Sequence, residues 1–439
     1  MVSLRRRPAV DLRVLDGVDA GARPVVQVKL VDAGDLYVSW RWEHAPGDPR
    51  VTLVERKQLQ PALDDLARAL PSPLPGEDPE RALVRALGGA LADAGREPQL
   101  TVRLARSLLP FHLAAELNEL IGRGARPHLR IQPSPSTAQV PWEALPGDEG
   151  ERVVDIADVS VLPPATVRNA PGRRVSSWEP GGPVVAALDP RVPGFGDGSA
   201  LGSVLGPVDP ASGLAAMVTS LGPRLRPPAT AETAFRRADL DRDTLEAVLA
   251  DAGRFLYAGH VSTAEHGLGA RLHLSCTAAA PGRAEPVGAH RPLTAADLVL
   301  GHRPDRPRPW RLPNRVALIA CDSGGDQRFA EPSGLVTAAV QTGAEYVTAA
   351  RWTLPTDAAL GRLLPGFAPD DAARAAGGAL AAVVVAVNDA HEATDPIAAL
   401  AAWQRSRADR WRRTGDPACS PLLWGAFSTA YAPAPVAKP

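Results

Sequence analysis

Apolar and polar residues alternate with period two in two stretches of the first fifty residues. Val26, Val28 and Leu30 alternate with polar neighbours. Asp32-Ala-Gly-Asp35 turns the chain, and Val38, Trp40 and Trp42 then alternate with Ser39 and Arg41. Pro46-Gly-Asp-Pro49 turns it again before Val51 and Leu53. The pattern predicts an antiparallel meander over residues 1–57 with one buried face and both tryptophans in the core. From Leu59 the spacing becomes helical. Leu63, Leu66 and Leu70 share one face, as do Leu83, Leu87 and Leu91 after Pro79. Ser107 to Ile121 predicts a third helix, ended by Gly122 and Gly124. Residues 58–124 are therefore expected to be a helical region.

Beyond it, residues 125–439 are expected to form one α/β domain. Its upstream segment, 125–175, returns to strand character at His128–Ile131 and at Val153–Leu162, which predicts a strand pair. A Gly/Pro-rich stretch over 169–182 predicts a linker or surface crossover. An α/β core is expected over 183–432. Short continuous apolar runs mark strands buried on both faces at Pro183–Asp189, Arg254–His260, Val316–Gly325, Tyr346–Ala350 and Pro421–Ser428. Helical spacing falls between them at 214–221, 241–252, 334–343, 372–388 and 398–411. Residues 277–313, rich in Pro and Arg, predict a long surface connection. Strands alternating with helices imply a mainly parallel sheet covered on both faces.

Composition narrows the classes. Apolar residues make up 45% of 439, enough for a large core, and the net charge of −1 gives no attraction to nucleic acid or to a membrane surface. Arginine supplies nearly all the basic residues; the lysines are Lys29, Lys57 and Lys438. With heavy Ala, Gly and Pro use, this suggests a GC-rich bacterial genome. Met1–Arg7 is basic but has no apolar stretch behind it, so no signal peptide is expected. No apolar run reaches the ~18 residues of a membrane span. Cys276, Cys321 and Cys419 are odd in number and far apart, which fits a reduced cytoplasmic setting better than a disulfide scaffold or a zinc site.

The candidate chemistry sits at two strand tips. Val316-Ala-Leu-Ile-Ala-Cys321 ends in Asp-Ser-Gly-Gly, and Arg254-Phe-Leu-Tyr-Ala-Gly259 ends in His260. In open α/β sheets ligands bind beyond the carboxyl ends of the strands. A thiolate is a strong nucleophile, and an imidazole can hold its proton and return it to a leaving amine. Cys321 and His260 together suit acyl transfer, above all peptide hydrolysis. A structural cysteine is the competing reading, because Cys also packs as a small apolar residue. His266, His273 and Cys276 match no familiar metal-ligand spacing. Asp322 could recognise a basic side chain or cap the next turn. Asp357 could line the same cleft as a specificity acid or cap the helix that follows it.

Five segments in order resemble the CHAT domain, a caspase-like module related to caspases and separase. Val140-Pro-Trp-Glu-Ala-Leu145 is similar to its upstream PWE-x-L segment, Leu256–His260 to its histidine strand, and Leu318–Gly324 to its cysteine strand. Gly334-Leu, Thr342-Gly-Ala and Arg351-Trp352 resemble the next helix and strand, and Pro421–Phe427 the last strand. Nothing is recognised over residues 1 to about 110. The resemblance implies a cysteine endopeptidase with His260 as general acid/base and Cys321 as nucleophile, needing no metal or cofactor. It implies backbone N–H groups of Cys321 and Val261 as oxyanion donors, and a protein or peptide substrate. It extends to a companion regulatory protein and to bacterial defence or regulated proteolysis. Two positions depart from the family pattern. Val261 stands where glycine is usual, and Asp357 lies one residue past the position of the acid that reads a basic P1 side chain. A CHAT scaffold without catalysis, binding other proteins, is the alternative reading.

Overall fold

The computed structural model describes residues 11–147, 150–364, 367 and 369–434. The basic stretch Met1–Arg7 lies outside them. In chain order the strands are β1 (Val25–Ala33), β2 (Asp35–Trp42), β3 (Arg50–Val54), β4 (His128–Gln132), β5 (Asp158–Val161), β6 (Val184–Leu188) and β7 (Leu225–Arg226). They continue with β8 (Arg254–Ala258), β9 (Val261–Ser262), β10 (Arg271–Leu272), β11 (Leu293–Thr294), β12 (Arg315–Ile319), β13 (Tyr346–Ala350) and β14 (Phe427–Tyr431). Eleven of them form one sheet in the order β3-β2-β1-β4-β5-β14-β13-β12-β8-β6-β7. Neighbours run parallel except at β1–β2, β2–β3 and β13–β14. The fold is therefore α/β with a mainly parallel sheet, as the alternating pattern predicted.

The N-terminal meander is β1 to β3, and it joins the main sheet because β1 pairs in parallel with β4 from Val25 opposite His128. Its inward residues, Val26, Val28, Leu30, Leu36, Val38, Trp40 and Trp42, are all buried. Both indole N–H groups donate to Glu116 Oε2, Trp40 at 3.0 Å and Trp42 at 2.7 Å, while Arg50 pairs with Oε1. Burying that carboxylate is tolerated because three donors converge on it. Glu97, from the helix Glu97–Leu108, pairs with Arg152 at 2.8 Å, and Trp411 donates to the same carboxylate at 3.4 Å. This buried cluster ties the helical region to the sheet domain.

At the centre, every residue of β6, β8 and β12 is buried. Their side chains alternate between two cores. Leu256, Ala258, Ala317 and Ile319 meet Leu214, Met217, Val383 and Val384 from the helices Gly213–Leu221 and Ala379–Glu392. Phe255, Tyr257, Val316 and Leu318 meet Leu245, Leu298 and Leu335 from the helices Arg242–Leu249, Ala295–Leu300 and Leu335–Gln341. At the opposite end from the candidate site, Arg254 and Arg315 are register partners. Their like charges are held apart by the end of helix Ala379–Glu392. Arg254 donates to the Asn388 carbonyl at 3.1 Å and Arg315 to that of His391 at 2.7 Å, where the helix dipole favours cations.

Some element boundaries differ from those expected. Residues 107–121 are not one helix: Glu97–Leu108 ends just before Pro110, and Phe111–Gly122 starts after it. The strand pair expected over 153–162 is a helical turn, Val153–Ile156, followed by β5. Pro421–Trp424 is also a helical turn, with proline in its first position, so the last strand starts only at Phe427. Short apolar runs do not separate strand from buried helix by periodicity. The 277–313 segment is less superficial than its composition suggests. His290 and Trp310 within it are buried, and it carries β11 and the helix Ala295–Leu300. Among the described residues, no helix is long and apolar enough to cross a membrane.

Candidate active site

Strands β6, β8 and β12 are adjacent, parallel and end together. The ladder pairs Ile319 with Ala258 and Ala258 with Leu188. It holds to the tips, since Gly259 N–H donates to the Ile319 carbonyl at 3.2 Å and Asp189 N–H to the Ala258 carbonyl at 2.6 Å. Cys321 and His260 each stand two residues beyond the Ile319–Ala258 pair. Neighbouring strands run about 4.8 Å apart. The two tips singled out in the sequence therefore share one end of the sheet, and Asp189 ends the third strand one residue beyond Leu188.

The histidine is oriented by backbone. Its Nε2 lies 2.8 Å from the Gly202 carbonyl oxygen. A carbonyl only accepts, so Nε2 carries the hydrogen and Nδ1 is left with the lone pair of a base. Burial pushes the His260 pKa down, against the Gly202 contact and the Asp189 charge, and keeps the ring neutral.

Gly202 belongs to the Gly/Pro-rich loop 190–210, and Asp189 holds that loop. Its carboxylate accepts from Ser203 Oγ at 2.5 Å and Val204 N–H at 3.0 Å, and Arg236 lies at 3.4 Å. Asp189, Arg236 and Asp322 are the non-glycine residues with left-handed backbone among the described residues, at φ 51°, 54° and 52°. Two of them directly follow β6 or Cys321, and the third touches Asp189. Such conformations carry strain and cluster where a chain is forced to aim a group.

The thiol is held differently. Cys321 S–H faces the Leu354 carbonyl at 3.8 Å, and Leu354 N–H donates to the sulfur at 3.4 Å. Burial pushes the thiol up to about 11 although the Leu354 contact pulls the other way. Burial thus disfavours the charged form of both groups, the thiolate at Cys321 and the imidazolium at His260. Cys276 and Cys419 are fully buried, and burial raises both thiols.

The turn after Cys321 gives each of its residues a task. Ser323 Oγ donates to the Leu318 carbonyl at 2.6 Å and accepts from Ala350 N–H at 2.9 Å, stitching β12 to β13. Gly324 N–H donates to the Ala350 carbonyl at 2.8 Å, and a Cβ on Gly324 would stand 3.1 Å from that oxygen. Asp322 caps no helix; its carboxylate pairs with Arg328 at 2.8 Å. It borders a 250 Å³ cleft lined by Thr263, Gly267, Arg328 and Phe329.

Asp357 is engaged elsewhere. Thr356 caps the helix Asp357–Leu363, while the Asp357 carboxylate accepts from Ala379 N–H and, at 3.2 Å, Leu380 N–H. It caps the first turn of Ala379–Glu392. Replacing Asp357 with alanine is expected to cost about 1 kcal/mol of stability, read by denaturant midpoint. A changed P1 preference at unchanged stability would instead put it in the substrate cleft.

Val261 opens β9. His273 N–H donates to the His260 carbonyl at 3.1 Å, and Val261 pairs with Leu272. Hydrogen-bonded and non-bonded pairs alternate in an antiparallel ladder, so the Val261 N–H turns away from β10. Its φ is not left-handed, so valine fits the position without strain. Below it runs a buried chain. His290 Nδ1 lies 2.8 Å from the Cys276 carbonyl, His273 Nδ1 3.1 Å from His290 Nε2, and His273 Nε2 3.0 Å from Ser262 Oγ. The terminal carbonyl fixes every proton in that chain, and burial keeps both rings neutral, His273 down at about 3. His273 and Cys276 thus serve this scaffold, with Arg242 donating to the Cys276 sulfur at 3.5 Å. One group has ligand-like spacing among the described residues, Asp370, Asp416 and Cys419. Arg407 and Arg410 already pair with Asp370, at 2.8 and 3.2 Å, and supply its positive charge.

The fold is a mainly parallel α/β sheet with a cysteine and a histidine at neighbouring strand tips. More narrowly, the chain belongs to the CHAT domain family, whose model matches residues 85–432. The match begins upstream of residue 110, in the region that Glu97 ties to Arg152 and Trp411. No curated protein matches the sequence. Among solved structures, the chain is similar to separase in two structures of the Saccharomyces cerevisiae separase–securin complex. Identity is 10% in both, with TM-scores of 0.42 and 0.45. The likeness covers 93% and 94% of this chain but 30% of each separase chain.

Sequence reasoning missed Asp189, Gly202 and Leu354. Asp189 ends an apolar run just as His260 and Cys321 do, and that shared position was the available signal. Gly202 and Leu354 act through backbone atoms, which no residue type announces.

Proposed function

We propose that this chain is a cysteine endopeptidase in which Cys321 attacks a peptide carbonyl and His260 shuttles the proton. The observation that carries the reading is the His260–Gly202 contact, which leaves Nδ1 as the base on a tip beside Cys321. In the proposed step the Cys321 proton passes to His260, the sulfur bonds to the carbonyl carbon, and negative charge moves to the carbonyl oxygen. Backbone N–H groups of Cys321 and Val261 would hold that oxyanion. Collapse returns the proton to the departing amine and leaves a thioester, which water hydrolyses with His260 as base. The substrate is a protein or peptide, and a companion protein regulates access to the thiol. The test is a proteome cleavage profile of the wild type against Cys321→Ala, with neighbouring gene products present. Identical profiles would remove the activity.

The raised thiol pKa and the Leu354 contact favour a second reading, a CHAT scaffold that binds protein without cleaving it. Alkylation separates the two. A thiol held up at about 11 should react with iodoacetamide about tenfold faster per pH unit between pH 7 and 10. Cys321 should lead Cys276 and Cys419 throughout, because it alone of the three is partly exposed. If it reacts no faster than those two, the protease reading fails.

Asp189 is assigned the role of positioning His260 through the loop. Asp189→Ala should lower kcat by about 10²-fold with KM nearly unchanged, since a base out of line slows chemistry more than binding. Asp189→Asn keeps part of the loop contact and should recover part of the rate. A fall in KM and kcat in step with lost folding would instead mark a purely structural residue.

A further inference from the structure

The two edges of the eleven-stranded sheet are finished differently. At one edge β7 has two residues, Leu225–Arg226, and Pro227-Pro228 follows at once. A short strand ended by proline offers little to another chain. At the other edge β3 runs five residues, Arg50–Val54, contains no proline, and has β2 as its hydrogen-bonded neighbour. Its charged residue, Arg50, is turned inward to Glu116. Val51 and Leu53 face outward, 68% and 48% exposed.

The register extends this apolar edge into a patch. Val31 pairs with Tyr37 and Tyr37 with Leu53, so the three form one row across β1, β2 and β3. Val31 and Tyr37 are 41% and 44% exposed. Val51 stands in the next row, opposite Ser39. Among the described residues, four of the eight exposed large hydrophobics lie on this one face. Single apolar residues scattered over a surface are ordinary, whereas a contiguous patch beside an open edge invites a partner.

We propose that β3 pairs antiparallel with β3 of a second copy of this chain, about a two-fold axis through Thr52. The pattern is self-complementary. Val51 of each copy falls opposite Leu53 of the other, and Thr52 falls opposite itself, all favourable cross-strand pairs. The rows Val31–Tyr37–Leu53 of the two copies then continue into one another as a single apolar stripe. Charge agrees with this pairing. Exposed Asp48 precedes β3 and exposed Lys57 follows it, with side chains 57% and 79% accessible. The two-fold brings Asp48, 3.6 Å from its own Arg50, to the end where Lys57 of the other copy lies, 2.9 Å from its own Glu55, so each end holds balanced rather than like charge. The chain's own residues 1–10 are a poorer occupant. They join at Asp11, whose carbonyl accepts from Arg50 at 2.8 Å. On charge alone they suit the edge badly, because Arg5-Arg6-Arg7 are all cationic and the face already carries exposed Lys29 and Arg41.

Light scattering on the full chain over a concentration series tests the proposal. Hydrogen exchange of the β3 amides is followed on the same samples. A concentration-dependent dimer is expected, with β3 protection rising as it forms. Leu53→Lys and Thr52→Pro should each weaken association by at least about tenfold, a cost of ~1.4 kcal/mol. Leu53 is exposed, so Leu53→Lys should keep the wild-type melting temperature, which guards against a folding defect in Thr52→Pro. Deleting residues 1–10 should leave the dimer intact. A wild type that stays monomeric at all concentrations overturns the proposal, as does a Leu53→Lys chain that dimerises as well as wild type. A dimer seen only after residues 1–10 are removed also overturns it, and assigns the edge to that segment.

Discussion

Cys321→Ala should lower cleavage of an identified substrate by at least about 10⁴-fold, and His260→Ala by nearly as much. The sizes follow from what each group does. Without the sulfur there is no atom to bond to the carbonyl carbon. Without the imidazole the proton of a thiol held up at about 11 has no acceptor at neutral pH. The double variant should be no slower than Cys321→Ala alone, because groups that act as one unit are not additive. Initial rates of the three variants on one substrate are the measurement. Residual activity within tenfold of wild type in either single variant would end the dyad assignment. Replacing Cys276 should leave the rate intact, since its sulfur is buried under Arg242 in the scaffold.

How much of the molecule is legible in its sequence depends on which atoms do the work. The buried strands are legible because runs of four or five mostly apolar residues, ended by glycine or a polar residue, match a strand covered on both faces in length and punctuation. Cys321 and His260 are legible because each ends such a run. The meander is legible from its strict alternation, and Trp40 and Trp42 lie in the core as expected. What hides the rest is mostly backbone chemistry. The Gly202 carbonyl sets the His260 tautomer and Leu354 holds the thiol, yet neither residue type carries a signal. Buried ion pairs hide for another reason. Glu116 sits in a helix that reads as amphipathic, and only the fold shows three donors arriving from strands more than sixty residues away.

The family motifs take on physical content in the same way. The serine and glycine after Cys321 are fixed by Leu318 and Ala350, so they shape the turn that aims the thiol. Gly259 is required because a Cβ there would stand 2.7 Å from Tyr257 Oη. That hydroxyl reaches the His260 and His273 carbonyls at 2.7 and 2.9 Å and braces the histidine turn against β10. Asp357 shows the limit of motif reading. Its sequence position allows a specificity acid or a helix cap, and its carboxylate accepts from the Ala379 and Leu380 N–H groups at the start of a helix more than twenty residues on.

Glu143→Ala should be the most destabilising single change near the site, by about 3–5 kcal/mol, because it leaves a buried guanidinium without its carboxylate. Glu143 is the acid of Val140-Pro-Trp-Glu-Ala-Leu145, and it accepts from Arg351 Nη2 at 2.8 Å. Both side chains are about 95% buried. Arg351 also donates to the Gly425 carbonyl at 2.8 Å, and Trp352 Nε1 to that of Leu422 at 3.0 Å. These contacts fix the chain as it leaves β13, two residues before Leu354 meets the Cys321 sulfur. Loss of Glu143 should therefore do two things at once: lower the denaturant midpoint and free the thiol. Faster alkylation of Cys321 in Glu143→Ala than in wild type, measured where both remain folded, is the expected signature. Glu143→Gln keeps a hydrogen-bond acceptor without the charge and should fall between the two in both measurements. If Glu143→Ala is destabilised with Cys321 reactivity unchanged, the upstream segment supports the fold alone and has no hold on the thiol.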